Sequence, residues 1–142
     1  MTNAPRITSA LVDTIARAPA FRVRQCTLAH PGALIEAEAV FIVGVKNAET
    51  ARGLGAGHRR EVLSIELALV AEVMSDDYTD VLDRAWRMLA DVEQVIGSNP
   101  TLDGRCHFAV ITGFDQKNYA GDGKRSVEIS VTVEATADKD AS

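Results

Sequence analysis

Cysteine is scarce in this chain: Cys26 and Cys106 are the only two in 142 residues. That is too few for a disulfide framework, and a reducing assembly compartment is the expectation. No apolar run approaches the roughly 20 residues of a membrane-spanning helix, and no basic segment followed by an apolar one opens the chain. Neither export nor membrane insertion is expected. Aromatic residues make up 5%, with Trp86 the single tryptophan. Excess positive charge is missing as well, since the formal net charge is −5. Nucleic acid is therefore not expected as the main partner, because phosphate binding needs a concentrated basic surface. Arg22 and Arg24, with His58, Arg59 and Arg60, are the local basic clusters. Each is flanked by apolar strand residues and reads as a solvated strand edge before it reads as a patch.

The patterns that carry chemistry are equally thin. Cys26 with His30 and Cys106 with His107 lack the paired short spacing of zinc sites, and neighbours on a strand point to opposite faces, so no metal is expected. Cys106 lies in an apolar strand pattern, where an inert buried thiol is commoner than a nucleophile. Asp76 and Asp77 precede a helix, where capping accounts for them, and Glu36 and Glu38 read as solvated acids on an extended segment. The run from Gly53 to Gly57 lacks the Gly-Lys-Ser/Thr ending of a phosphate loop and leads into a strand. No catalytic, cofactor-binding or metal-ligating residue is nominated.

What the chain does contain is regular hydrophobic periodicity. Ile7, Leu11, Val12 and Ile15 recur at helical spacing, which predicts a first helix over Thr8–Ala18, capped by Thr8 or Ser9 and ended by Pro19. Phe21 to Cys26 alternates with period two and reads as a half-buried strand. Ala39 to Val45 is β-branched and almost wholly apolar, as expected of a strand covered on both faces. Glu61 to Met74 is the strongest strand, with Leu63, Ile65, Leu67 and Leu69 on one face and a bend or bulge expected near Ala71. From Asp76 or Asp77, the positions Val81, Leu82, Ala85, Trp86, Leu89, Val92, Val95 and Ile96 trace a helical stripe. Trp86 belongs to that stripe and is expected to be a core anchor between helix and sheet. A strand from Cys106 to Thr112, a polar connection over Gln116–Lys124 and a last strand through Val127, Ile129, Val131, Val133 and Ala135 complete the pattern.

This order predicts an α+β class: a single, mostly antiparallel sheet with helices packed on one face. The length fits a single domain over residues 1–136, followed by a polar, disordered tail over 137–142. Lys46 to Arg60 is much longer than a hairpin turn requires. It reads as a flexible, partner-contacting loop in which Lys46, Arg52, Arg59 and Arg60 offer charge-assisted contacts.

The junction Ser98-Asn99-Pro100-Thr101-Leu102-Asp103-Gly104-Arg105 turns the chain from the long helix into a strand. Gly97 is expected to take the left-handed conformation that closes a helix. Pro100 biases Asn99 away from helical angles, Gly104 permits positive φ, and Leu102 folds back over the last helical turn. This junction resembles that of the tail-terminator (tail-completion) proteins of long-tailed phages, where an Asn/Asp-Pro-Thr-Leu-Gly-Gly turn follows a helix. Asp103 stands where the first of the two glycines is common. The resemblance extends over roughly residues 7–136. It takes in the N-terminal helix, the apolar strand before a Gly- and Arg-bearing loop, and the Arg60-Glu61-Val62-Leu63-Ser64-Ile65 start of the long strand.

The resemblance implies a structural virion protein without catalysis or cofactor. Such proteins form a ring, six-fold in this family, that caps the tail tube, stops its polymerisation and presents a surface for head-tail joining. Implied partners are further copies of the chain, the tail tube protein and a head-tail connector or neck protein, with localisation to the virion tail and, during assembly, the host cytoplasm. A neck or head-completion protein is the alternative within this class. From another class, a small α+β ligand-binding domain or enzyme would need His30, His58 and His107 to converge.

Overall fold

The computed structural model describes residues 2–22, 24–29, 37–52, 59–74, 77–121 and 123–139. Proline sets the start of the first helix, α1, which spans Ala4–Arg17 and begins four residues before the expected Thr8. Pro5 is tolerated there because N–H groups of a first helical turn have no partner inside the helix. Thr8 does not cap; its hydroxyl donates back to the Ala4 carbonyl at 2.8 Å. Ile7, Leu11, Val12 and Ile15 are buried as the spacing predicts. Past Arg17, Pro19–Phe21 form one 3-10 turn, and the first strand, β1, is only Gln25–Thr27. Phe21 is therefore a buried plug at the end of the helix instead of the head of a strand.

The remaining strands are longer than their apolar cores. They are β2 (Glu38–Arg52), β3 (Arg59–Val73), β4 (Phe108–Gly121) and β5 (Lys124–Lys139), with the second helix, α2 (Tyr78–Ser98), between β3 and β4. The sheet has the order β1-β2-β3-β5-β4. β1 runs parallel to β2 and the other three pairings are antiparallel. The sheet is mixed, and the fold is α+β. Leu63, Ile65, Leu67, Leu69 and Ala71 of β3 stand opposite Ala135, Val133, Val131, Ile129 and Val127 of β5. All ten are buried in one core with the apolar faces of both helices. Ser64, Glu66, Ser130, Thr132 and Glu134 occupy the alternate positions and turn to the opposite face of the sheet.

Several expectations are corrected by this pairing. β3 carries no bulge near Ala71, because it is paired on both sides and matches β5 along all 15 of its residues. The register shifts instead fall in outer strands, at Ile42/Gly44 and Asn47/Glu49 of β2 and at Ile111/Gly113 of β4. An outer strand can take an extra residue without breaking two ladders. The polar stretch from Gln116 is strand as far as Gly121, and β4 turns into β5 between Gly121 and Lys124, with Gly123 at φ +76°. β2 is not covered on both faces throughout: Ala39 to Ile42 are buried, whereas Val43 and Val45 are exposed.

The presumed tail is also structure in part. β5 continues to Lys139, Ala137 is buried, and the Asp138 carbonyl accepts from Asn3 Nδ2 at 2.7 Å. Residues 140–142 lie outside the described residues. Pairing with Arg59, Arg60 and Glu61 of β3 holds residues 137–139, and the bond from Asn3, across 135 positions, ties them to the start of α1.

Candidate functional site

The junction after α2 is built by a short network. Asp77 caps the helix start, its carboxylate accepting from Thr79 N at 2.9 Å. The far end closes at Ser98, where Asn99 N donates to the carbonyls of Val95 and Ile96, both at 3.2 Å. Gly97 remains inside the helix, so the left-handed residues come later: Leu102 at φ 50°, Asp103 at 59° and Gly104 at 80°. Asp103 tolerates this conformation because its short polar side chain bonds locally. Asn99 Nδ2 donates to Asp103 Oδ1 at 3.0 Å, and Asp103 N donates to Asn99 Oδ1 at 3.1 Å. The carboxylate then reaches Arg17 of α1 at 2.5 Å, and these hydrogen bonds from Arg17 and Asn99 hold its pKa below the ordinary value. Leu102 is fully buried beneath the turn, as the sequence leads one to expect.

A second junction ties α1 to the sheet. Glu61, on the helix-facing side of β3, is fully buried and accepts from Asn3 N at 2.8 Å and from Thr2 Oγ1 at 2.6 Å. A carboxylate at a helix N-terminus is favoured by the exposed N–H groups there, which accounts for a buried acid in an apolar row. The alternation did carry a signal, since Glu61 shares the parity of Leu63 and Ile65. Arg24 gave none. Its side chain is 8% exposed, lies over the Phe21 ring at 4.7 Å, and donates to Glu38 at 2.9 Å and Asp91 at 2.6 Å. Burial opposes the charge, but hydrogen bonds with Glu38 and Asp91 outweigh it and raise the pKa. Arg24 is thus neither a solvated edge nor part of a basic patch, and Glu38 is not a solvated acid.

The four cations of the expected loop are placed on strands. Lys46 and Arg52 belong to β2, Arg59 and Arg60 to β3, and the two strands remain paired as far as Arg52 opposite Arg59. Backbone pairing leaves only residues 53–58 between the strands, so the structureless span from Lys46 to Arg60 is corrected to a long hairpin. Lys46 and Arg60 are exposed on the sheet face turned away from the helices. The glycine run Gly53–Gly57, His30, His58, Glu36 and Asp76 lie outside the described residues.

Trp86 is corrected outright. It is 56% exposed, and Met88 fills the buried position on that turn of α2. The indole Nε1 donates to Gln116 Oε1 of β4 at 2.7 Å, and Phe114, two residues earlier on the same strand, is 60% exposed. An aromatic pair thus borders the outer strand of the sheet.

Burial raises the pKa of both thiols, at Cys26 against an opposing effect of Arg24, which disfavours a thiolate nucleophile. His107 is exposed and meets the Asp138 carboxylate at 3.1 Å. Among the described residues no three His, Cys, Asp or Glu side chains group as metal ligands, and no helix is long and apolar enough to cross a membrane. Among the described residues the geometry is that of a five-stranded sheet with hydrogen-bonded helix junctions and outer strands that expose apolar side chains.

No protein-family model matches the chain, and no curated protein matches it. Among solved structures, a chain from the virion of a native gene transfer agent (GTA) particle is similar, with a TM-score of 0.62 at 10% identity. The match covers 92% of this chain and 95% of the other. At that identity the likeness is one of fold, and it extends over nearly the whole of both chains.

Proposed function

We propose that this protein is a structural component of a virion, without catalytic activity, and that it acts as a tail terminator. Its copies would close into a ring, six in number by the family resemblance, that caps the tail tube, halts polymerisation and offers a surface to a connector or neck protein. The observation that carries this reading is the near end-to-end fold likeness to a chain of a gene transfer agent virion. The junction around Asp103 adds to it. Aspartate replaces a common glycine at a left-handed position, where it pins α1 to the turn through Arg17.

A ring of identical subunits needs a head-to-tail interface, a rigid scaffold and no active site. In this reading the long sheet serves as the first two. The Lys46–Arg60 hairpin, with Lys46, Arg52, Arg59 and Arg60, is the proposed contact to an acidic surface of the tube or of a neighbouring subunit.

Native mass spectrometry and negative-stain microscopy of the purified protein, alone and with tail tubes, test the reading. Hexamers with a central hole, seated at tube ends and limiting tube length, are expected. Monomers at every concentration and in the presence of tubes overturn it. Binding to the head connector with no effect on tube length would favour a neck or head-completion role.

A further inference from the structure

Among the described residues, two stretches of backbone border the sheet with no strand beyond them. One is β4 from residue 110 onward; before it the Ala109 N–H already donates to the Pro100 carbonyl of the α2–β4 turn at 2.6 Å. The other is β2 over residues 42–52, since β1 covers only Ala39, Val40 and Phe41. Neither stretch is short or covered by a further strand among the described residues, and each carries a bulge. Both expose apolar side chains: Val43 is 53% exposed and Val110 is 44% exposed, with Val45, and Phe108 just ahead of the β4 stretch, similar.

The two edges also match in sense and in shape. Antiparallel pairing throughout β2-β3-β5-β4 makes β2 and β4 run in opposite directions. A second copy placed beside the first in the same orientation therefore brings its β4 antiparallel to the first copy's β2. Gly44 stands opposite Glu66, Glu66 opposite Thr132, and Thr132 opposite Gly113, so one row crosses the sheet from the bulge of β2 to the bulge of β4. Both edges bend at the same level. Residues 46–60 carry net +3, with Lys46, Arg52, Arg59 and Arg60 against Glu49, while β4, with Asp115 and Lys117, is neutral and the rest of the chain is acidic, so charge does not oppose the contact.

We propose that the free edge of β4 in one copy, over residues 110–115, pairs antiparallel with residues 42–47 of β2 in the next, so that the sheet continues from subunit to subunit. This deepens the ring reading and, as the interface of that ring, rests on it. With the two bulges level, Phe114 lies opposite the neighbour's Val43, and Trp86, bonded to Gln116 two residues further on, lies next to the contact. Trp86, as the single tryptophan, reports the event.

The experiment uses the full chain in two edge-blocked variants, Val43→Lys with Val45→Lys, and Phe108→Lys with Val110→Lys. All four side chains are exposed, and circular dichroism checks that the fold is kept; a variant that fails the check is replaced by the single substitution Val43→Lys or Val110→Lys. Each variant alone should remain monomeric, whereas an equimolar mixture should give 1:1 dimers and nothing larger, with Trp86 emission shifting to the blue. Rings formed by either variant as readily as by the wild type would overturn edge pairing and leave the ring intact. Homodimers from one variant alone would overturn it in favour of a two-fold contact. Wild-type monomers under all conditions would overturn pairing and ring together, and open filaments of wild type that the variants cannot extend would support pairing while removing the closed ring.

Discussion

Leu102 and Trp86 illustrate how little a residue's type says about its burial. Leu102 sits in a turn of polar residues and is fully buried; Trp86 lies on an amphipathic helix and is 56% exposed. Leu102→Ala should cost about 2–5 kcal/mol, as removal of a buried leucine does. Trp86→Ala should stay within about 0.5 kcal/mol of wild type, since the indole is largely exposed and its hydrogen bond is to a half-buried glutamine side chain. Urea unfolding of the two variants decides this, and a large loss at Trp86 would restore it to the core. Arg24 is the third residue whose role depends on surroundings. Arg24→Ala leaves Glu38 and Asp91 without their shared cation and should destabilise by about 3 kcal/mol, the low end for a broken buried pair because Asp91 is partly accessible. Equal denaturation midpoints for variant and wild type would refute that account. At the turn, Asp103 has a depressed pKa from its bonds to Arg17 and Asn99. Its contribution is therefore present above the ordinary aspartate range and lost as pH falls through the lowered folded value. The stability difference between wild type and Asp103→Asn should shrink on acidification, as measured by melting across that range.

At the scale of elements, ends were harder to read than centres. Every helix and strand centre expected from periodicity exists, apart from the stretch at Phe21, yet β2, β4 and β5 run well past their apolar segments. Ladder hydrogen bonds propagate along a strand whose neighbour is already in place, whatever the side chains. The C-terminal end of β5 makes the point testable. Truncation after Thr136 removes the burial of Ala137 and the acceptor for Asn3, and should lower the melting temperature, whereas loss of a disordered tail would leave it unchanged. The hairpin gives the opposite case. Replacing residues 53–58 with a tight turn should spare folding, because the flanking strands stay paired up to Arg52 and Arg59, and should impair capping in a tail-assembly assay. Normal tail length with the shortened hairpin would make it a passive connection.

At the scale of the whole molecule, alternation and helical spacing determined the class. The apolar rows Leu63 to Leu69 and Val127 to Ala135 needed a sheet face covered by amphipathic helices, and they lie there as adjacent strands. The turn around Asn99 and Pro100 carried the family resemblance on which the proposed assembly role rests. Only the tertiary structure decided that β1 is parallel, that the bulges fall in β2 and β4, that Glu61 accepts from the Asn3 N–H at the start of α1 and that Arg24 bridges Glu38 and Asp91. Local periodicity records which face of an element turns inward. Which element stands beside it, and hence which charge finds a partner and which edge stays open, depends on contacts between residues tens of positions apart.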